Sequence, residues 1–414
     1  MNRGIYSRLS IMMFLEYFIW GAWYVTMGTY LNETLQFSGV EIASAYGTGA
    51  IAAMISPFFV GLFADRFFPT ERVLGVMHLL GAVLMFWAST ADSFGAFYPI
   101  LLGYTLCYMP TIALTNAVSF HQMKDPGKEF PMVRVWGTAG WIVAGLIIGF
   151  MKVEAQALPL QMAAGLSVLM GLYSFSLPST PPKDKGKKVS VSDVLGLDAL
   201  ALLKERSFGV LFLASILICI PLMFYYSFTN PFLNEVGFEN AAGKMTLGQM
   251  SELLFLLVMP VLFKRYGVKI MMLIGMLAWG ARYVMFAYGA PESMVWMLYA
   301  GIILHGICYD FFFVTGQIYA DNKAPENLRS SVQGMMTFAT YGVGMFIGSL
   351  VSGPIVDNYA TPGGAVAHDW TAIWLIPAAF SVIVAILFFV LFKDSGTEEV
   401  GEEDSVTGAQ LATD

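Results

Sequence analysis

The run Phe208-Gly-Val-Leu-Phe-Leu-Ala-Ser-Ile-Leu-Ile-Cys-Ile-Pro-Leu-Met-Phe-Tyr-Tyr-Ser-Phe-Thr-Asn-Pro-Phe232 contains no charged side chain. A helix needs about 20 mainly apolar residues to cross the hydrocarbon core of a bilayer, so this stretch reads as a membrane span. Upstream lies a polar, Pro- and Lys-rich stretch from Pro178 to Arg206. Before it, apolar runs recur near 9–31, 42–63, 73–91, 95–120, 131–151 and 157–177. After Phe232 they recur near 247–263, 269–289, 294–319, 329–356 and 370–392. The pattern predicts an all-α membrane protein with twelve transmembrane helices. The first run is too long for the core of a signal peptide and lacks an obvious small-residue cleavage site, so it is expected to remain in the mature chain.

Composition agrees with that reading. Of 414 residues, 57% are apolar and 12% charged, against about 45–50% and 25% in soluble domains. So few charges could not cover the surfaces of the two or three soluble domains that this length implies, which excludes an ordinary soluble enzyme. The net charge is −7, and it is concentrated at one end. Between Lys393 and Asp414 stand Asp394, Glu398, Glu399, Glu402, Glu403, Asp404 and Asp414 against one base, so the body is near neutral. No basic field for nucleic acid exists, and the 393–414 tail is expected to be a disordered, solvated end. Cys107, Cys219 and Cys308 lie in apolar runs without paired spacing, which suggests packing rather than disulfides or a metal site.

Lysine and arginine placement sets the expected orientation. With the N-terminus inside, the inner loops and ends receive most of the 22 bases, from Arg3 and Arg8 through the Lys183–Lys188 cluster to Lys393. The outer loops hold only Lys152 and Lys244, and Arg134 and Arg282 fall within or beside membrane runs. Both termini are therefore expected on the cytoplasmic side. The expected division is 1–177 and 208–392 as six-helix halves, 178–207 as a cytoplasmic linker and 393–414 as the tail. An offset of 199 residues places run 208–230 on 9–31, Pro260–Arg265 on Gly61–Arg66, and Gly344-Met-Phe-Ile-Gly348 on Gly145-Leu-Ile-Ile-Gly149. That repeat argues for two pseudo-symmetric halves, the layout of the major-facilitator fold.

Ionisable groups inside a membrane cost about 2.5–3.5 kcal/mol each on insertion scales and raise a functional hypothesis. Here they are Glu16, His78, Arg134, Glu252, Arg282, His305 and Asp310. Arg134, Thr138 and Trp141 share one helix face, Gln249 and Glu252 are three apart, and His305 and Tyr309 four apart, with Asp310 about 100° further round. Together they suit a wet cavity for a polar, flat, hydrogen-bonding solute. A carboxylate that alternates between different surroundings can take up a proton on one side and release it on the other, which nominates Asp310 and Glu252, with Glu16 as a further titratable site. A static pair between these acids and an arginine is the competing reading, and Arg282 and His78 also fit structural roles. Trp20, Trp23, Tyr225 and Tyr226 are either ring platforms or packing.

Gly61-Leu-Phe-Ala-Asp65-Arg66 resembles the major-facilitator loop signature G-x-x-x-D-R, in which the acid braces the inner gate; Phe67-Phe68-Pro69 departs from its usual continuation. No HExxH, GxxxxGK[ST] or GxSxG motif is present, so no enzyme, catalytic residue, metal or cofactor is expected.

Along Leu9 to Lys393 the sequence resembles the nucleoside:proton symporter family of the major facilitator superfamily. The resemblance rests on Phe130-Pro-Met-Val-Arg134-Val-Trp136-Gly137-Thr138, Leu195-Gly-Leu-Asp-Ala199, Gln249-Met-Ser-Glu252-Leu-Leu-Phe255, Arg265-Tyr-Gly267, Phe286-Ala-Tyr-Gly289, Asp310-Phe-Phe312 and Gln333-Gly-Met335. It implies proton-coupled import of nucleosides by alternating access across a bacterial inner membrane, with solute and proton as partners in a monomer. It also implies a solute site at Arg134, Thr138, Trp141, Gln249, Glu252, Tyr309 and Asp310. Met223 and Tyr226 stand where the family pattern has amides, His305 where it has a tyrosine, and Glu16 where it has a glutamine. These departures leave a sugar or another small polar metabolite open as the solute. A non-transporting membrane sensor is the alternative of another class, and composition alone does not set transport direction.

Overall fold

The computed structural model describes residues 2–63, 67–182, 197–325, 328–361, 363 and 366–393. Regular structure among them is helical, apart from an isolated bridge between Ala360 and His368. Asp65 and Arg66, the stretch 183–196 and the tail beyond Lys393 lie outside the described residues.

Helix α1 is Arg3–Tyr24; its N-terminus is capped by Asn2, whose side chain accepts from the Gly4 amide at 3.0 Å. It breaks after Tyr24 and resumes as a helical turn, Met27–Thr29, and a π-turn, Tyr30–Thr34. The Tyr46 hydroxyl donates to the Tyr24 carbonyl at 2.7 Å and accepts from the Gly28 amide at 3.0 Å, satisfying the backbone at that break. Then follow α2 (Gly39–Phe63), α3 (Thr70–Ala88), α4 (Phe94–His121), α5 (Pro126–Met151), α6 (Leu158–Ser174) and, after a short 3₁₀ turn at Leu197–Lys204, α7 (Arg206–Glu235).

Next, α8 (Ala241–Tyr288) consists of two helical arms that follow two of the apolar runs and meet at a kink. It turns at Gly267, whose φ of 68° and ψ of 174° favour a residue lacking Cβ. Next come α9 (Val295–Ile303) and α10 (His305–Tyr309), a π-turn at Asp310–Val314, and α11 (Thr315–Lys323). The last run holds α12 (Arg329–Thr337), a π-turn at Phe338–Gly344 and α13 (Met345–Asn358), and α14 (Trp370–Leu391) closes the chain.

Helix α1 lies along α5 and α6, α4 packs on α2 and α3, and α3 packs on α6. In the C-terminal part, α7 packs on α13 and α14, and α8 packs on α9, α10 and α14. The two parts meet mainly where α2 crosses α13 and α5 crosses α8.

Large apolar side chains face outward in contiguous stripes, as Leu80, Val83, Phe86 and Trp87 do on α3 and Ile383, Ile386, Phe389 and Val390 on α14. A soluble monomer seldom exposes such patches, whereas lipid covers them. Nine of the described helices are long and apolar enough to cross a bilayer, and α6, with 17 residues, is apolar but shorter. The chain is a multi-pass membrane protein.

Candidate functional site

Polar chemistry gathers where α1, α5, α7, α8 and α10 face one another. Tyr17, Trp20 and Tyr24 occupy positions i, i+3 and i+7 of α1. Arg134 on α5 places its guanidinium carbon 4.0 Å above the Tyr17 ring. Two turns on, Trp141 meets Trp20 edge-on at 5.4 Å and Tyr24 at 6.3 Å. Tyr24 then reaches across to Tyr226 of α7, at 5.5 Å between rings. The face of α5 that carries Arg134 and Trp141 therefore looks onto α1, as its spacing predicts.

A narrow cleft lies beside these rings, and its lining includes Tyr24, Trp141, Tyr225, Tyr226, Thr246 and Gln249. Near it, Glu252 is half-buried, with a side-chain exposure of 30%, and feels the charges of Arg134 and Asp310. Its Oε2 lies 4.0 Å from His305 Nε2. His305 and Tyr309 share a face of α10, at 6.0 Å between rings, and the Tyr309 hydroxyl meets that of Tyr341 at 2.5 Å. This contact joins the last residue of α10, just ahead of one π-turn, to the middle of another; π-turns are a type of irregularity common at functional sites. Asp310 begins one of them; it is 1% exposed, and among the described residues its Oδ2 has no hydrogen-bond partner. Neither Arg134 nor Arg282 closes an ion pair with these acids among the described residues. Isolating a charge in this way is expensive, so the protonation of Asp310 depends strongly on its surroundings.

One end of the bundle is sealed. The buried Glu154 carboxylate accepts from Asn230 Nδ2 at 2.7 Å, Asn234 Nδ2 at 3.0 Å and the Ala242 amide at 3.0 Å. Thr29 Oγ1 donates to Asn230 Oδ1 at 2.6 Å. Asp357, at the end of α13, accepts from the Gly39 amide at 2.5 Å and the Val40 amide at 2.9 Å, at the positive end of α2. Among the described residues, the hydrogen bonds joining residues before 182 to those after 197 all lie at this end.

A sequence profile described as nucleoside H+ symporter matches residues 3–397. The chain belongs to the nucleoside H+ symporter family. It is 42% identical over 404 residues to YegT of Escherichia coli (strain K12), a protein named there as a candidate nucleoside transporter, with 95% of each chain covered. It is 34% identical to the xanthosine permease of the same organism, covering 98% of this chain and all of that one. The crystal structure of a point variant of the nucleoside transporter NupG superposes with a TM-score of 0.89 at 32% identity, covering 94% of this chain and 100% of that one. The fold is thus that of a major-facilitator transporter, and the protein is a transporter rather than an enzyme.

In this member of the symporter family the remaining expected residues lie in separate places. Thr138 is half-buried on α5. Met223 is fully buried, with Gly348 of α13 so close that a Cβ there would lie 2.7 Å from its Cγ. Glu16 is fully buried in the N-terminal helices: Oε2 meets His78 Nε2 at 2.9 Å, Oε1 accepts from Thr111 Oγ1 at 2.6 Å, and its backbone carbonyl accepts from the Tyr108 hydroxyl at 2.6 Å. Trp23 packs edge-on to Tyr104 in the same core. Leaving a buried carboxylate without one of its hydrogen-bond partners costs about 1–3 kcal/mol or more. His78→Phe is therefore expected to lower the thermal unfolding temperature in detergent clearly, and an unchanged melting curve would show that the pair contributes nothing.

Sequence reasoning passed over Tyr17, Tyr24, Tyr341 and Glu154. The i, i+3, i+7 spacing on α1 was available as a signal for the first two. Glu154 had none, because an acid in a polar loop is unremarkable until its partners are known.

Proposed function

We propose that the chain is a proton-coupled symporter that imports nucleosides by alternating access. The observation that carries this reading is the cleft itself, where the rings of Tyr24, Trp141 and Tyr226 and the amide of Gln249 stand beside an arginine and a half-buried acid. Aromatic faces pack on a base, and Gln249, Glu252 and Arg134 supply donors and acceptors for its edge and for the ribose hydroxyls. Membership of the family supports the same solute class and the proton. Thr138, Tyr309 and His305 complete the solute site in this reading, with Met223 shaping it from behind. Asp310 and Glu252 carry the proton, and Glu16 is a further titratable group.

The twelve runs form twelve spans in two six-helix halves, 1–177 and 208–392, joined by the 178–207 linker and followed by the 393–414 tail. The kinked α8 supplies two of those spans. Both termini lie in the cytoplasm and the membrane is a bacterial inner membrane, so the end sealed by Glu154 and Asp357 is the outer one. Asp65 and Arg66 brace the inner gate. Rocking of the halves about the α2–α13 and α5–α8 crossings then opens each end in turn.

The test is uptake of labelled uridine and adenosine into proteoliposomes with an imposed inward proton gradient. Accumulation that a protonophore abolishes is the expected result. Absence of uptake by protein shown to be folded would overturn the nucleoside assignment and direct the search to sugars.

A further inference from the structure

Arg282 on the second arm of α8 is completely buried, and none of the contacts described for it is to a carboxylate. Its guanidinium carbon sits 3.4 Å above the Tyr225 ring, a cation–π contact shielded from water. Its Nη1 lies 3.1 Å from His305 Nδ1, while Nε and Nη2 have no hydrogen-bond partner among the described residues. His305 also stacks on Tyr225, with ring centroids 5.1 Å apart and planes at 22°. Its other nitrogen, Nε2, points to Glu252 Oε2 at 4.0 Å. The groups facing His305 are thus Arg282 and Glu252 on the two arms of α8, Tyr225 on α7, and Cys308 and Tyr309 on its own segment.

A guanidinium has donors only, and it stays charged in a protein. The 3.1 Å contact is therefore a hydrogen bond only if His305 Nδ1 offers its lone pair. A neutral imidazole then carries its single proton on Nε2, the nitrogen directed at the carboxylate. A second proton, on Nδ1, would break the bond to Arg282 and set two cations side by side on one tyrosine ring.

We propose that Arg282 is a positioning residue that fixes His305 as the neutral Nε2–H tautomer, so that His305 turns an N–H rather than a charge toward Glu252 and does not carry the transported proton. Glu252 stands 4.0 Å from that N–H, beyond hydrogen-bond range, and its carboxylate is left to accept from a solute N–H or O–H group. That last step rests on the reading of Glu252 as a solute ligand; the tautomer itself does not.

The deciding measurement is ¹⁵N NMR of histidine-labelled, full-length protein in bilayers, with the His305 signals assigned by their loss in His305→Asn. The expected spectrum has a protonated Nε2 and an unprotonated Nδ1, unchanged between about pH 5 and 8, the range in which free histidine titrates. In Arg282→Gln, protein whose other three histidine signals are unmoved should show His305 titrating within that range. If Arg282→Gln does not fold, the wild-type spectrum alone decides. A proton on Nδ1, or a titrating His305 in the wild type, overturns the proposal.

Transport gives a second readout. In His305→Asn the side-chain oxygen still accepts from Arg282 but no ring N–H faces Glu252. The gradient should still drive accumulation, because the residue lost is not a proton carrier. Loss of gradient-driven accumulation with KM unchanged would make His305 a proton carrier and sink the proposal. Absence of nucleoside uptake by the wild type would leave the NMR result standing and count only against the solute assignment.

Discussion

Asp310→Asn is expected to abolish concentrative uptake while leaving exchange of solute across the membrane intact. An inward gradient of one pH unit is worth about 1.4 kcal/mol per proton, or roughly tenfold accumulation for each proton that moves with the solute. Asparagine keeps the shape of the side chain and cannot exchange a proton. Its place is favourable, since Asp310 is buried at the start of a π-turn with one oxygen lacking a partner. The variant should equilibrate labelled nucleoside to an internal concentration no higher than the external one. Counterflow, which needs no gradient, should persist. Glu252→Gln should differ, because Glu252 is half-exposed beside the cleft and Arg134; its loss should weaken solute binding as well as coupling. Accumulation at the wild-type ratio in Asp310→Asn would remove that residue from the proton path and leave Glu252 as the carrier.

The second large effect is expected at the sealed end, from Gly149→Val. A Cβ at Gly149 would lie 2.6 Å from the Gly243 amide nitrogen and would collide with Asn240 Oδ1. The neighbouring crossing at Gly145 is similarly close, with Thr246 Cγ2 at 2.7 Å. Because the Gly243 atoms are backbone, relief requires α5 and α8 to separate. Overpacking typically costs about 1–3 kcal/mol, enough to shift the balance away from the sealed state by about five- to 160-fold. Ser227 is fully buried at this end, against Gly28 of the Met27–Thr29 turn. In a background with the three native cysteines replaced, Ser227→Cys should resist a membrane-impermeant thiol reagent. Adding Gly149→Val should raise its labelling rate about fivefold or more and lower uptake in proportion. Unchanged labelling would show that the closed crossing is not what seals this end.

The membrane class and the odd charges were legible in the sequence because both depend on composition over short windows. Arg134, Glu252, Arg282, His305 and Asp310 each stand out from apolar neighbours, and Arg134 and Trp141 occupy one face of α5 as their spacing requires. The partners of those charges were not legible. Glu16 and His78 are 62 positions apart, and nothing local says that one neutralises the other. Trp23 sits in the same helix as Trp20 and is chemically identical, yet one lies in the packed core and the other against the cleft-lining Trp141. Glu154 shows the opposite case: its loop setting hides it in the sequence, and only the meeting of α7 and α8 gives it three donors.

The turn at Gly267 acts as a ruler. Glu252 precedes it and Arg282 follows it by the same number of residues, fifteen in each direction. At 1.5 Å per residue both lie roughly 22 Å from the turn along antiparallel arms, and so at nearly the same depth. The carboxylate and the guanidinium that bracket His305 are thus brought level by equal counts along two helical arms that meet at one residue. A residue inserted into either arm would slide one group past the other by a known step and rotate it by about 100°. The geometry around His305 is therefore set by chain length, which packing elsewhere in the bundle can tilt but cannot re-register.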